Sequence, residues 1–448
     1  MLYEFRVRNY KSFKDELCFS MRPAPKQKGL DYSILHRKVG RKDTKALSSA
    51  VIYGANASGK TNIISAMGVF QSIVLAGHIR NEARIGCPAN IAANALELIP
   101  NCNNTTSTPV SFFIEFYHAK KAFSYSLEID LGLFLENSHK RSILKEELIV
   151  NGSPVFIREK QTVRCDNFKK NGKSLTQEEA KLSKKLITNS LQADELFLSN
   201  GFKSIVSPTL ANEVIEWFKT QFIIICHAEL MTVSPAPGND PNKPIPLPEE
   251  FRKAMSNFGV TGDNLCYLAS PDKPGAELCS CIPNPNDKNK GNLINASVFE
   301  SYGTIRFAQL YPLLERAMST GATLVIDEFD ASIHPMALLN IVNIFHNDEI
   351  NKNGAQLIFN THNPIFLNPN VFRRDEIKFV ERNSETLEST HYSLSDFGTS
   401  GVRGVRKQED YMKNYFIDRY GAISPIDFSD VFKKIVSSSG DLGIDDAS

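Results

Sequence analysis

The sequence predicts an α/β fold in which a mixed sheet is flanked by helices and interrupted by a compact α+β insertion. Near the start, the short apolar strand Ser49–Tyr53 runs into a loop of small residues, and an amphipathic helix begins at Lys60. Much later, two buried apolar strands at 322–327 and 355–361 flank a helix at 337–345. Strand, helix and strand in this order are typical of a parallel sheet that is covered on both faces.

The other elements are predicted mainly as antiparallel strands. Alternation of polar and apolar residues predicts strands at 2–10 and 17–21, and twice more within 110–129. Asn151-Gly152 lies between two apolar runs and is a hairpin signal. Helical spacing of apolar residues predicts a further helix that ends at Gly321, just before the parallel strands.

The middle of the chain is predicted as an insertion, because 267 positions separate Lys60 from Asp327. Helical stretches there are short and lack sustained heptads, which excludes a long coiled-coil arm. Two proline-rich stretches, 234–248 and 270–292, contain few apolar residues and are predicted as surface loops or partly disordered lid segments. The predicted division is an N-terminal half of the α/β unit at 1–135, an insertion or lid at 136–294, a C-terminal half at 295–425 and a tail at 426–448.

Composition excludes several classes of protein. The 448 residues are 42% hydrophobic and 23% charged, which is typical of a globular chain and excludes fibrous and wholly disordered proteins. With 51 basic and 50 acidic residues, any affinity for nucleic acid requires a local basic patch. Eight scattered cysteines predict a reduced, cytoplasmic location, and the lack of a long apolar run predicts no membrane segment.

The loop after the first buried strand fits the phosphate-loop pattern G-x-x-x-x-G-K-[ST], from Gly54 to Thr61. Small residues allow successive backbone N–H groups to surround a phosphate at the positive end of a helix. Lys60 would neutralise phosphate oxygens, and the Thr61 hydroxyl would contact Mg²⁺. The alternative is a glycine-rich turn that fits the pattern by chance. The residues predicted to bind the nucleotide here are Gly54, Asn56, Ser58, Gly59, Lys60, Thr61 and Asn62.

Two adjacent carboxylates, Asp327 and Glu328, end the first of the two late buried strands. Asp327 is predicted to hold the Mg²⁺ shell, and Glu328 is predicted to act as general base on an attacking water. The alternative is a helix N-cap, which suits Asp330 or Ser332 better than an acid directly after four apolar residues.

A third polar group follows the next buried strand, in the run Asn360-Thr361-His362. Ligands of open α/β sheets bind at the carboxyl ends of the strands, so His362 is predicted to reach a terminal phosphate. On its own, a histidine at this place is more often a surface or core residue, and the prediction depends on the two motifs above.

Together these segments resemble the ABC-type ATPase heads of the SMC, RecF and Rad50 kind. The opening run Phe5–Phe13 is similar to the first strand of those heads. In particular, the chain resembles bacterial AAA15-type ATP-binding proteins, which are related to the OLD-nuclease ATPase and to abortive-infection and anti-phage ATPases. A stretch like Asp410–Ile423 recurs near the C-terminus of that family. The resemblance covers about 1–75 and 295–425.

The resemblance implies that two heads pair around ATP and Mg²⁺, as a homodimer or a higher homo-oligomer. A signature loop of one subunit then covers the nucleotide of the other, and Ser301 and Gly303 fit that loop here, although Tyr302 departs from its usual pattern. A plain helix N-cap by Ser301 is the alternative. Asp330 resembles the contact of the loop that crosses the interface. The glutamine of the usual Q-loop has no match.

Three functions are compatible with these residues. The first is a regulatory ATPase of a bacterial anti-phage module, which acts as a nucleotide-driven clamp on a separate effector such as a nuclease or toxin. The second is a DNA-maintenance ATPase of the RecF or SMC type, and the third is a scaffold that binds ATP with little turnover. Five basic residues could contact nucleic acid or an acidic partner, or form a solvated face: Arg373, Arg374, Arg403, Arg406 and Lys407.

Overall fold

The fold is described from a computed structural model of the chain. The described residues are 1–25, 27, 29–80, 96–136, 138–165, 169–170, 173–174, 178, 186–187, 190–226, 243–260, 264–269, 276–284, 287–399, 404–406, 409–424 and 426–439. The first proline-rich stretch lies largely outside these residues. The end of the tail, 440–448, and the residues Arg403 and Lys407 lie wholly outside them.

Strands dominate the described part of the chain. They are β1 Leu2–Arg8, β2 Leu17–Ser20, β3 Ile34–Val39, β4 Lys42–Leu47, β5 Ser49–Gly54, β6 Val110–His118, β7 Lys121–Asp130, β8 Ser142–Val150, β9 Ser153–Glu159, β10 Thr162–Cys165, β11 Lys169–Lys170, β12 Lys173–Ser174, β13 Phe222–Ile225, β14 Ile245–Pro246, β15 Leu265–Ala269, β16 Ala276–Asn284, β17 Asp287–Asn295, β18 Thr323–Ile326, β19 Gln356–Asn360, β20 Ile377–Arg382 and β21 Ser389–Ser393.

Helices are fewer and mostly short. They are α1 Lys60–Ala76, α2 Pro208–Glu216, α3 Glu249–Asn257, α4 Ala296–Phe299, α5 Tyr302–Thr320, α6 Pro335–His346, α7 Tyr411–Phe416 and α8 Ser429–Ser439, with π-helical segments at Leu198–Val206 and Trp217–Gln221. No helix in the described ranges is both long enough and apolar enough to cross a membrane.

Two large sheets form the framework. The six-stranded sheet has the order β13-β18-β19-β5-β20-β21 and is parallel except for its last pair. The seven-stranded sheet, β10-β9-β8-β7-β6-β1-β2, is antiparallel throughout. Because β18, β19 and β5 run in the same direction, their carboxyl ends meet at one edge. The predicted α/β fold, the strand before Gly54 and the βαβ unit are confirmed.

Helix α1 is packed between the two sheets, which explains why it is apolar on more than one side. Phe70 stacks on Phe112 at 5.2 Å and on Tyr125 at 5.8 Å, both from the antiparallel sheet. In the same core, Ala50 and Ile52 of β5 face α1 from the parallel sheet. The helix that follows the phosphate loop is therefore fixed from both sides.

The other face of the parallel sheet is covered by α5 and α6. Val51 and Tyr53 alternate with the residues that face α1, and they pack into a second core with Phe307, Leu310 and other residues of those helices. The layers are thus antiparallel sheet, α1, parallel sheet and helices.

The sheets cross the predicted domain boundaries. Strand β8, from the predicted insertion, pairs with β7 over most of its length, and β13 pairs with β18 in the parallel sheet. The segment 136–294 is therefore hydrogen-bonded into both large sheets. The four domain ranges themselves stay a prediction.

The prediction of a surface loop at 270–292 was wrong for 276–284 and 287–292, the residues that the structure describes there. Strands β16 and β17 form a hairpin, and β15 extends it into a four-stranded antiparallel sheet with β14. The stretch has few apolar residues, but backbone hydrogen bonds between strands need no apolar side chains. Among the side chains of this hairpin whose burial is described, three are buried: Ala276, Cys279 and Ser280.

Both readings of Arg373 and Arg374 as surface residues were also wrong. Both side chains are buried. Arg373 forms an ion pair with Asp375 at 2.9 Å, and Arg374 donates to the carbonyls of Gly398 and Val405 at 2.6 Å. The two guanidinium groups thus bind other groups of the same chain. Arg406, in contrast, is exposed.

We expect Phe70→Ala to destabilise the protein by about 3–5 kcal/mol, because it removes a buried ring and leaves a cavity between the sheets. Urea unfolding followed by tryptophan fluorescence would measure the change. Phe416→Ala is the matched control, since Phe416 is 59% exposed and should cost little. Equal midpoints for the two variants would contradict the sandwiched position of α1.

Candidate functional site

The loop between β5 and α1 has a shape that its glycines make possible. A Cβ on Gly54 would collide with the carbonyl oxygen of Val380. Gly59 has φ of +107°, and a Cβ there would lie 2.7 Å from the Ser389 hydroxyl oxygen. Both glycines of the phosphate-loop pattern are thus required by close packing and backbone conformation.

Residues from both ends of the chain support this loop from outside. The Ser389 hydroxyl donates to the Ser58 carbonyl at 2.6 Å, and the Asn62 amide donates to the Ser12 hydroxyl at 2.8 Å. The Ser58 hydroxyl is buried and has no hydrogen-bond partner among the described residues. Sequence reasoning missed Ser12 and Ser389, because no local pattern marks a residue that is 50 or 331 positions from its partner in the loop region.

Lys60 is buried, with 6% of its surface exposed. Its ammonium group donates to the carbonyls of Gly54 at 2.8 Å and Ala55 at 2.9 Å. Burial lowers the pKa of Lys60 to about 8, although the charges of Asp327, Glu328 and Asp330 oppose this change. The lysine thus lies against the loop and close to the acidic end of β18.

Asp327 connects three elements at the sheet edge. Its Oδ1 accepts a hydrogen bond from the Thr61 hydroxyl at 3.1 Å and another from the Asn360 amide. Asp327 is only 2% exposed. The phosphate-loop helix, β18 and β19 therefore meet at one carboxylate oxygen.

Asn360 also fixes the backbone of Glu328. Its amide oxygen accepts a hydrogen bond from the Glu328 N–H at 2.5 Å, and Glu328 has a left-handed φ of +54°. A non-glycine residue in this conformation costs free energy that its surroundings must offset. The carboxylate of Glu328 is exposed and lines the cavity at the sheet edge. Asn360 was not among the predicted site residues, although a polar residue ending a buried strand was a signal for it.

His362 lines the same cavity, next to the end of β19. Burial lowers its pKa, and the nearby positive charge of Lys60 lowers it further, while Asp330 and Asp327 act in the opposite direction. The imidazole is thereby biased towards its neutral form, in which one ring nitrogen donates and the other accepts a hydrogen bond.

The cavity at this edge has a volume of about 320 Å³ and brings most of the predicted residues together. Gly54 and Asp327 do not line the cavity, but each accepts a hydrogen bond from a residue that does. Lys60 donates to the Gly54 carbonyl, and Thr61 donates to the Asp327 carboxylate. Arg382 lines it too and was not predicted. The lining residues are Asn56, Ala57, Ser58, Gly59, Lys60, Thr61, Asn62, Glu328, Asn360, His362 and Arg382.

Ser301 and Gly303 lie outside this cavity. Ser301 caps α5 by accepting from the Thr304 N–H at 3.1 Å, so the N-cap predicted as the alternative is present. A Cβ on Gly303 would lie 2.5 Å from the Ser332 carbonyl oxygen. The start of α5 therefore packs directly on the loop that contains Asp330, and Asp330 in turn lies close enough to Lys60 and His362 to affect the pKa of each.

The donor set at the sheet edge fits a magnesium ion. No group of three His, Cys, Asp or Glu side chains that could bind a metal ion occurs within the described ranges. Mg²⁺ commonly uses one or two carboxylates together with phosphate oxygens and waters, so it needs no such group. Asp327 and Thr61 would supply the protein oxygens.

A family model matches the chain over 49–204 and 284–368, which is more than half of its residues. The family is described as "AAA domain, putative AbiEii toxin, Type IV TA system". The chain belongs to this family. The matched ranges contain the phosphate loop, Asp327, Glu328 and His362, whereas Arg382 of the cavity wall lies beyond them.

Among solved structures, the AAA-domain chain matches the SMC head domain from Thermotoga maritima. The two are 15% identical, the match covers 88% of this chain and 98% of that one, and the TM-score is 0.34. No curated protein matches the chain.

We expect the affinity for MgATP to fall as the pH rises above 8. Lys60 must be protonated to neutralise phosphate, and its pKa of about 8 means that the free protein loses this charge there. Binding then requires uptake of a proton, which weakens affinity by up to roughly tenfold per pH unit. Calorimetry at pH 7, 8 and 9, in buffers of different ionisation enthalpy, would measure both the affinity and the proton uptake.

Lys60→Arg is the matched control for this titration, since arginine stays charged at pH 9 and should flatten the profile. An affinity of the unaltered protein that stays constant from pH 7 to 9 would contradict the lowered pKa.

We expect Asn360→Ala to weaken MgATP binding by about 10- to 100-fold, as loss of a residue that orients a metal ligand commonly does. The substitution leaves the Glu328 N–H without its partner and Asp327 with one hydrogen bond fewer. Fluorescent nucleotide titration with and without Mg²⁺ would measure the effect. Asn340→Ala, on the exposed face of α6, is the control; identical affinities for the two variants would rule out this role of Asn360.

Proposed function

We propose that this protein is an ATPase that binds MgATP at the edge of the parallel sheet and hydrolyses it to ADP and phosphate. The observation that carries the proposal is the convergence of Lys60, Thr61, Asp327, Glu328 and His362 around one polar cavity, from three separate parts of the chain. Membership of an AAA-domain family supports the nucleotide.

The phosphate chain would lie along the N-terminus of α1. Backbone N–H groups of the loop and the Lys60 ammonium stabilise its negative charge. Because Lys60 now donates to two carbonyls of its own loop, it is held at the site before the nucleotide arrives. Thr61 and Asp327 would hold Mg²⁺, which when bound neutralises charge that develops on the phosphate oxygens.

Glu328 is the proposed general base. Its backbone is fixed by Asn360, while its carboxylate remains exposed to the cavity and can accept a proton from an attacking water. His362 is proposed to donate a hydrogen bond to the terminal phosphate. Its lowered pKa leaves the ring neutral near pH 7, with one N–H available for this bond.

The site is proposed to be completed by a second copy of the chain. Glu328 is exposed, and Ser301 and Gly303 lie away from the cavity of their own subunit. In a homodimer or larger homo-oligomer, the Ser301 loop and Asp330 would cover the nucleotide of the neighbouring subunit. Nucleotide binding would then close the pair, and hydrolysis would release it.

We further propose that this clamp regulates a separate effector, such as a nuclease or toxin, in bacterial anti-phage defence of the AAA15 kind. The family description names a toxin of a type IV toxin–antitoxin system, which supports a role in such a module. Burial of Arg373 and Arg374 removes two of the five residues considered for direct contact with nucleic acid. This favours control of another protein over DNA maintenance.

We expect Glu328→Gln to keep the affinity of the unaltered protein for MgATP but to slow turnover by at least about 100-fold, as loss of a general base does. The variant should also accumulate as a dimer in MgATP, because closure is no longer followed by hydrolysis. Phosphate release and light scattering coupled to size exclusion would measure turnover and mass.

Glu349→Gln, an exposed glutamate after α6, is the matched control and should behave like the unaltered protein. Unchanged turnover in Glu328→Gln would refute the general base. Loss of turnover without a change in mass would refute the clamp.

A further inference from the structure

Arg382 is the last residue of β20 and lies at the same sheet edge as the phosphate loop. In the parallel pair of β20 and β5, Val380 is the register partner of Gly54, where the loop begins. Arg382 therefore lies two residues beyond this pair, level with the loop. It also lines the cavity that contains Lys60, Glu328 and His362.

Two backbone carbonyls fix the orientation of its guanidinium group. Nη1 donates to the Ala57 carbonyl of the phosphate loop at 3.2 Å, and Nε donates to the Leu387 carbonyl at 2.9 Å. Leu387 belongs to the turn between β20 and β21, and Ser389, the first residue of β21, also contacts the loop. The guanidinium plane is thus held at the rim of the cavity from two sides.

Most of its hydrogen-bonding capacity is not used. A guanidinium carries five N–H donors, and the two contacts above occupy two of them. Within the described ranges, no carboxylate forms an ion pair with Arg382, whereas Arg373 is paired with Asp375 and Arg419 with Glu409. An oriented cation that keeps three donors for a polar cavity is suited to a bidentate contact with phosphate oxygens.

We propose that Arg382 binds the terminal phosphates of the nucleotide, as a second cationic side chain beside Lys60. The inference rests on the proposed function, because it uses the same cavity. Arg382 adds positive charge opposite the acidic end of β18. It also ties the β20–β21 turn to the presence of a terminal phosphate, through Leu387.

A different role would be purely structural: Arg382 could only brace the loop through Ala57. A brace affects all nucleotides equally, since it acts on the loop and on stability. A phosphate contact affects ATP and ADP more than AMP, which lacks the terminal phosphates.

The test is calorimetric binding of MgATP, MgADP and AMP to the full chain and to Arg382→Gln, Arg382→Lys and Arg316→Gln. Arg316 is exposed on α5 and serves as the matched control. We expect Arg382→Gln to weaken MgATP binding by about tenfold or more, the effect of losing a charged hydrogen bond. MgADP should lose less and AMP almost nothing. Arg382→Lys should recover part of the loss, because it keeps the charge but not the planar fork.

Equal losses for all three nucleotides, together with a lower unfolding temperature, would show a brace and overturn the inference. Affinities equal to those of Arg316→Gln would overturn it as well. If the folded, unaltered protein binds none of the three nucleotides, the proposed function fails first, and the inference fails with it.

Discussion

The structure of the site depends on the hydrogen bonds of one buried carboxylate. Asp327 receives the Thr61 hydroxyl and the Asn360 amide at the same oxygen, and it has almost no contact with solvent. A buried charge is costly unless its hydrogen bonds are satisfied, so these two partners are also a condition for the fold at this edge. These hydrogen bonds connect α1, β18 and β19. Asn360 also accepts a hydrogen bond from the Glu328 N–H, which fixes the backbone of the neighbouring residue.

The layered packing makes this junction possible. Parallel pairing brings the ends of β5, β18 and β19 to one edge, although 266 positions separate Thr61 from Asp327. Helix α1 then cannot shift, because aromatic stacking fixes Phe70 against the antiparallel sheet while β5 packs on its other side. A second buried contact joins β1 of the antiparallel sheet to β19 of the parallel sheet. The side chain of Gln356 bonds with both backbone groups of Leu2 and with the Leu47 carbonyl.

The roles of residues that belong to a local sequence motif could be predicted from the sequence. The phosphate loop and the acids after a buried strand are examples, because spacing and hydrophobicity alone place them at a strand end. Asn360, Ser12, Ser389 and Arg382 could not be assigned in this way, since their importance comes from contacts with distant segments. The hairpin β16–β17 was missed because its strands are stabilised mainly by backbone pairing. Arg373 and Arg374 were misread because the sequence does not show that their side chains are buried, Arg373 against the neighbouring Asp375 and Arg374 against carbonyls more than 20 positions away.

On the proposed function, binding of a nucleotide would change the hydrogen bonds of Lys60. Its ammonium group donates to the loop carbonyls, so a phosphate would replace hydrogen bonds that already exist, and the affinity would reflect only the difference between the two sets. The Asp330 loop, which influences Lys60 and His362, also carries Ser332, on which Gly303 packs without room for a Cβ. A displacement of that loop therefore moves the start of α5 as well. This contact provides a physical route by which the phosphate cavity and the Ser301 loop can respond to each other within one subunit.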